Sequence, residues 1–139
     1  MKSEFSRLSL DEKMKTCTLH VCTSCRAPET PREPQEGRQG FILFQKLQEA
    51  VKNSNLKDRV DVKAAKCLSV CPRPCGIAIS SSESWTYLFG DQEAHKTIQD
   101  IIDCVSLYLG IPNGFMNRAD RPKSLRRSIL GRIPPIEGI

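Results

Sequence analysis

No stretch of about 18 apolar residues occurs in this 139-residue chain, so the sequence offers no membrane-spanning helix. The opening residues, MKSEFSRLSLDEKMKT, lack an apolar core of signal-peptide length, which sets the expectation of a cytoplasmic protein. Histidine is scarce: His20 and His95 are the only two, and neither stands beside a cysteine in sequence. A thiol enzyme needs a base next to its nucleophile, and the sequence supplies no such pair. Internal repeats are absent. Charge of one sign is also missing from the body of the chain: residues 17–110 carry equal numbers of basic and acidic groups. A protein built around nucleic acid would not be neutral there.

What the chain does have is cysteine, seven in all. A reducing compartment disfavours structural disulfides, and an odd count fits a disulfide framework poorly. Clustered thiols in such a chain point to metal binding or redox work. Three of them fall in CLSVCPRPC, at Cys67, Cys71 and Cys75. As a helix this stretch would stack its thiols on one face as small apolar residues, but Pro72 and Pro74 remove backbone donors and break that helix.

Residues 1–16 read as a flexible N-terminal segment, residues 17–110 as the folded domain, and residues 111–139 as an irregular tail. The tail is basic, with Arg118, Arg121, Lys123, Arg126, Arg127 and Arg132 against Asp120 and Glu137. That charge suits docking of an acidic redox partner through Arg121, Arg126 and Arg127. Within the domain, TLHV (18–21) has β character, and a Pro/Glu-rich loop follows. Residues 40–52 repeat apolar residues at helical spacing, with Phe41, Phe44, Leu47 and Val51 on one face. RVDVKA (59–64) alternates as a strand. GIAIS (76–80) and WTYLF (85–89) form a hairpin. Asp91 is positioned to cap a helix over 92–109, with Ala94, Ile98, Ile101, Ile102, Val105 and Leu109 buried. One helical turn is expected near residues 123–129.

The order β-α-β-β-β-α makes the first two strands parallel, because a helix joins them. Cys22 and Cys25 follow the first strand, Cys67 and Cys71 the second. Both loops then leave the same edge of the sheet, where ligands of open α/β sheets gather. A C-x2-C pair and a C-x3-C pair have the spacing of a four-thiolate site, for zinc or an iron–sulfur cluster. Dithiol chemistry at C-T-S-C is an alternative, but no helix starts at that pair to lower a thiol pKa. Cys75 is a further thiol beside the site, either a ligand or a neighbour of one. Cys17 and Cys104 read as packed residues, His20 as a satisfied strand histidine, and Trp85 and Tyr87 as packing groups. Val70, Ile77 and Trp85 are candidates to keep water from the site.

The α/β order and the strand–Cys, C-L-x-x-C pattern resemble the thioredoxin-like 2Fe–2S ferredoxins and the small iron–sulfur subunit of respiratory complex I. The resemblance implies a thioredoxin-like sandwich and a 2Fe–2S cluster on Cys22, Cys25, Cys67 and Cys71, passing single electrons. The first pair is closer in sequence here than is usual in those families, and Pro72–Cys75 is an addition. A resemblance over nearly the whole chain rests on V-C-T-S-C-R, C-L-S-V-C-P-R-P-C-G-I-A, W-T-Y-L-F-G-D and R-P-K-S-L-R-R-S-I-L-G-R-I-P-P. These are similar to an uncharacterised bacterial family whose members are labelled "predicted metal-binding protein", some tied by gene context to cobalamin biosynthesis. It implies metal binding without naming a reaction, and leaves a zinc site or a metal carrier as the alternative.

Overall fold

A computed structural model describes residues 15–26, 29–70 and 73–136. Most of the expected N-terminal segment, and Cys71, lie outside the described residues. The elements are β1 (Cys17–Cys22), α1 (Gln39–Lys52), β2 (Val60–Ala65), β3 (Ile77–Ser80), β4 (Thr86–Phe89), α2 (Ile98–Leu109), α3 (Ser124–Arg127) and β5 (Ile129–Ile133). The sheet runs β2-β1-β3-β4-β5. β1 and β2 are parallel, and the other neighbours are antiparallel. The expected β-α-β-β-β-α order is present, as a mixed α/β fold with helices packed on a sheet.

Cross-strand register explains where the core sits. Leu19 lies opposite Ile79 and Val21 opposite Ile77. Those two then face Tyr87 and Phe89. Opposed residues of a sheet share a face, so one face is apolar from β1 to β4. All six side chains are fully buried, in one cluster with the inner faces of α1 and α2. The other face carries Thr18, His20 and Ser80, and His20 Nε2 lies 3.0 Å from Ser80 Oγ, the satisfied strand histidine the sequence indicated.

Helix α1 buries Gly40, Leu43, Leu47 and Val51, while Phe41 and Phe44 are half-buried at its flank. The expected face is rotated because the start of α1 rests on the backbone of the first cysteine loop, where only glycine fits. Helix α2 begins at Ile98, not at residue 92, and Asp91 does not cap it. Asp91 has φ of 58° and pairs with Arg73, its own amide donating to the Arg73 carbonyl at 3.0 Å. Gln92 and Cys75 exchange backbone hydrogen bonds. The β3/β4 ladder therefore runs past the strands and delays the helix, which starts after a turn in which Thr97 Oγ1 accepts from the Glu93 amide.

The tail is not irregular. Beyond the expected helical turn, α3, it adds β5 antiparallel to β4. Met116 and Leu125 are fully buried, and the Tyr87 hydroxyl accepts from the Met116 amide at 2.8 Å. Arg121 is turned inward, 2% exposed, and donates to the carbonyls of Leu125 and Met116. It is thus a structural clamp and not a docking group, because burying a guanidinium requires such partners. No helix among the described residues is long and apolar enough to cross a membrane. Since Leu125 fills the core, Leu125→Ala should destabilise the chain by about 2–5 kcal/mol. The urea midpoint of the whole protein checks this, and a dispensable tail would leave it unchanged.

Candidate metal centre

Three segments reach one edge of the sheet. Cys22 lies level with Ala65 in the parallel β1/β2 pair, so both chains leave there. β3 runs against β1 and enters from that edge, with the Cys22 amide donating to the Gly76 carbonyl at 3.0 Å. The Thr23 amide donates to the Ala65 carbonyl at 3.0 Å, and the Thr23 hydroxyl bonds the same carbonyl at 3.2 Å. Ser24 Oγ reaches the Lys66 carbonyl. The first cysteine loop is thereby stitched to the start of the second.

Cys22, Cys25 and Cys75 are buried at this edge, and Cys25 is near enough to both of the others for the thiols to shift one another's titration. The nearby backbone amides of Ser24 and Leu68 act to lower the Cys22 pKa, and that of Gly76 acts to lower the Cys25 pKa. Cys67 is the exposed thiol among the described cysteines, and its Sγ accepts from the Ser69 amide at 3.3 Å. Ser69 has φ of 57°, a left-handed turn that curls this loop back on its own cysteine. Hydrogen bonding with Cys25, then burial, raises the Cys22 thiol pKa. For Cys25 the bond with Cys22 lowers the pKa, but the bond with Cys75 and burial outweigh it, leaving a value of about 11. Hydrogen bonding with Cys25 lowers that of Cys75.

Two glycines let the backbone close around the thiols. The Gly40 amide donates to the Cys25 carbonyl at 2.9 Å, and a Cβ there would collide with the Cys22 carbonyl oxygen. A Cβ at Gly76 would come within 2.5 Å of Val70 Cγ2. Val70 and Ile77 are buried beside the thiols, as expected of groups that exclude water. Trp85 is not: it precedes β4, at the opposite end of the sheet, where it packs edge-on against Phe115 with ring centroids 5.0 Å apart. The antiparallel hairpin sends its first residues away from the cysteines and returns Phe89 to them.

Cys17 lies at the far end of β1 and Cys104 within α2, both buried and both raised to about 12 by burial. Neither joins the cluster. Cys75, read from the sequence as a ligand or a neighbour of one, is buried just ahead of β3, and its backbone amide and carbonyl are bonded to Gln92. A cavity of about 580 Å³ lies against it, walled by Ile42, Pro74, Ala94 and His95. Among the described residues no three His, Cys, Asp or Glu side chains already stand in a metal-holding group. The donor set nevertheless suits a thiophilic metal. Buried Cys22, Cys25 and Cys75 near this edge are soft donors of the kind such a metal takes.

Residues 19–135 match the family described as "Protein of unknown function (DUF1636)". The chain belongs to that family. No curated protein matches it. Among solved structures it is similar to a thioredoxin-like [2Fe–2S] ferredoxin from Aquifex aeolicus, at 14% identity and a TM-score of 0.56, covering 89% of this chain and 99% of the other. A second structure of the wild-type ferredoxin from that organism gives 14% identity and 0.52, covering 84% and 98%. At this identity the likeness carries the fold, which this DUF1636 chain shares with both.

The close approach at Gly40 is open to test. Alanine at an unobstructed helix position gains about 1 kcal/mol over glycine. Here Gly40→Ala should instead lower the thermal midpoint of the metal-free protein, because the first cysteine loop must move away. An unchanged or higher midpoint would mean that the helix start does not bear on the loop.

Proposed function

We propose that this edge holds a 2Fe–2S cluster on cysteine thiolates and that the protein passes single electrons. Cys22 and Cys25 supply the first loop's ligands, and the loop after β2, with its Cys67–Cys71 pair, supplies the remainder. The observation that carries the reading is the parallel β1/β2 pair, which brings the loop with buried Cys22 and Cys25 and the loop with Cys67 out at one sheet edge, where β3 enters just after buried Cys75. The fold shared with the two ferredoxin structures supports it.

A bound cluster supplies the one-electron chemistry. The chain's own groups set its conditions. Amide hydrogen bonds to ligand sulfur would stabilise the more negative, reduced state more than the oxidised one, so they would raise the potential. Val70 and Ile77 lower the local dielectric and keep water out. The exposed Cys67 corner lets a partner approach closely. An acidic redox partner meets Lys66 and Arg127 at this edge, both exposed, while Arg121 is withheld inside the fold.

The test is anaerobic purification with iron, sulfide and zinc assayed on one sample, and visible spectra before and after reduction. The expected outcome is a brown protein with iron and sulfide in equal amounts, bleaching on reduction. Replacing both Cys22 and Cys25 by serine should abolish the colour while leaving a folded chain. A colourless protein with one zinc per chain would contradict electron transfer and leave a structural or carrier site.

A further inference from the structure

β2 is an outermost strand of the sheet. The Cys17 amide donates to the Arg59 carbonyl, and the Thr23 amide to the Ala65 carbonyl. Alternate residues of a paired strand turn their backbone groups toward the neighbour. Arg59, Asp61, Lys63 and Ala65 therefore serve β1, and Val60, Val62 and Ala64 point their N–H and C=O groups outward. The Val60 amide is bonded to the Leu56 carbonyl at 3.0 Å, and among the described residues nothing else pairs with this outward row. We infer that β2 is the contact between two copies of this chain, paired antiparallel about a twofold axis at Val62.

Charge selects that register. The strand reads V-D-V-K-A from Val60 to Ala64. A twofold axis at Val62 sets Val62 opposite its own copy, Val60 opposite Ala64 and Asp61 opposite Lys63, the last two pairs occurring twice. Opposite charges directly across a strand pair are favourable, and like charges are not. Moving the axis to Asp61 or to Lys63 sets like charges face to face. Both side chains are exposed, and in the single chain they pair only along the strand, at 3.7 Å. The same axis joins outward groups to outward groups. The two Val62 residues exchange a pair of hydrogen bonds, and each Ala64 amide meets the partner's Val60 carbonyl. Val60, whose amide is held by Leu56, enters only as an acceptor.

The surroundings agree. Val62 packs on the core but is only half-buried, and Ala64 is exposed. A groove of about 870 Å³ lies there between α1 and the strand, walled by Gln45, Gln48, Lys52 and Val62. A partner strand closes its open side. The opposite edge of the sheet is guarded: β5 carries charge of one sign, at Arg132, and runs into Pro134 and Pro135, which donate nothing to a ladder. A twofold pair of β2 strands is a self-complementary contact that closes at two copies. Because the two strands run opposite ways, the two cysteine edges lie at opposite ends of the joined sheet and both stay open. The inference is independent of what those edges bind.

Sedimentation velocity of the full-length protein, in reductant and over a dilution series, tests the pairing. A reversible dimer is expected. Lys63→Glu and Asp61→Lys each turn both charge pairs into like-charge pairs, and each should raise the dimer dissociation constant by about tenfold or more. The double exchange D61K/K63E keeps opposite charges opposite and should return the constant to within about threefold of the parent. Amide hydrogen exchange reads the backbone: Val62 and Ala64 should gain protection as concentration rises, with Lys63, already bonded to β1, as the internal control. A monomer at every concentration would overturn the inference. So would a dimer indifferent to the single reversals, or one whose Val62 and Ala64 amides still exchange freely, because its contact lies elsewhere. A double exchange as weak as the single reversals would overturn the axis at Val62.

Discussion

The parallel pairing of β1 with β2 is the constraint on which the rest depends. A strand, a helix and a second strand in one sheet must run the same way, with the helix crossing over one face. That places the ends of both strands, and whatever follows them, at one edge. With Cys22 level with Ala65, the two cysteine loops start side by side. The serine and threonine hydroxyls of the first loop then bond carbonyls at the end of β2, which fixes their spacing. An antiparallel pairing of the same strands would put the two cysteine pairs at opposite ends of the sheet, and no shared centre would exist.

The third approach to the centre comes from β3, and it depends on the hairpin and the tail. β3 enters beside β1, so the segment ahead of it must cross the same edge. Its backbone is held by residues 91 and 92, which continue the hairpin ladder. Gln92 is in turn bonded through its side chain to Ser128, just before β5. The Gly90 amide donates to the Ser128 carbonyl at 2.8 Å. The basic tail is thus tied to the strands that bracket the cysteine edge, and Arg73 reaches across from one to the other by bonding Asp91 and the Arg127 carbonyl. Charge in the tail is partly spent on holding this frame together, which leaves a smaller exposed set for docking.

Much of this was legible in the sequence, for identifiable reasons. Strand β2 declares itself by strict alternation from Val60 to Ala64, and α2 by the spacing of Ile101, Ile102, Val105 and Leu109. The edge shared by Cys22 and Cys67 followed from element order alone. What escaped were features set by long-range contacts. The start of α2 was misplaced because Asp91 has the chemistry of a cap, while its carboxylate is taken by Arg73, eighteen residues back. The tail looked irregular because its four prolines mask Met116 and Leu125, whose burial appears only when Tyr87 is beside them. The burial of Cys75 also escaped motif spacing, which speaks only for pairs within one loop, whereas its backbone is held by Gln92 beyond the hairpin. Trp85 was assigned to the wrong end because the direction of the hairpin was not carried through.

The central claim is that thiols from separate loops bind one metal centre at this edge. Anomalous diffraction from crystals of anaerobically purified protein, recorded at the iron and zinc absorption edges, tests it most directly. The account predicts iron density bounded by the Cys22–Cys25 loop on one side and by the 67–76 segment on the other. Metal bound elsewhere, or bound by one loop alone with the other turned away, would contradict it.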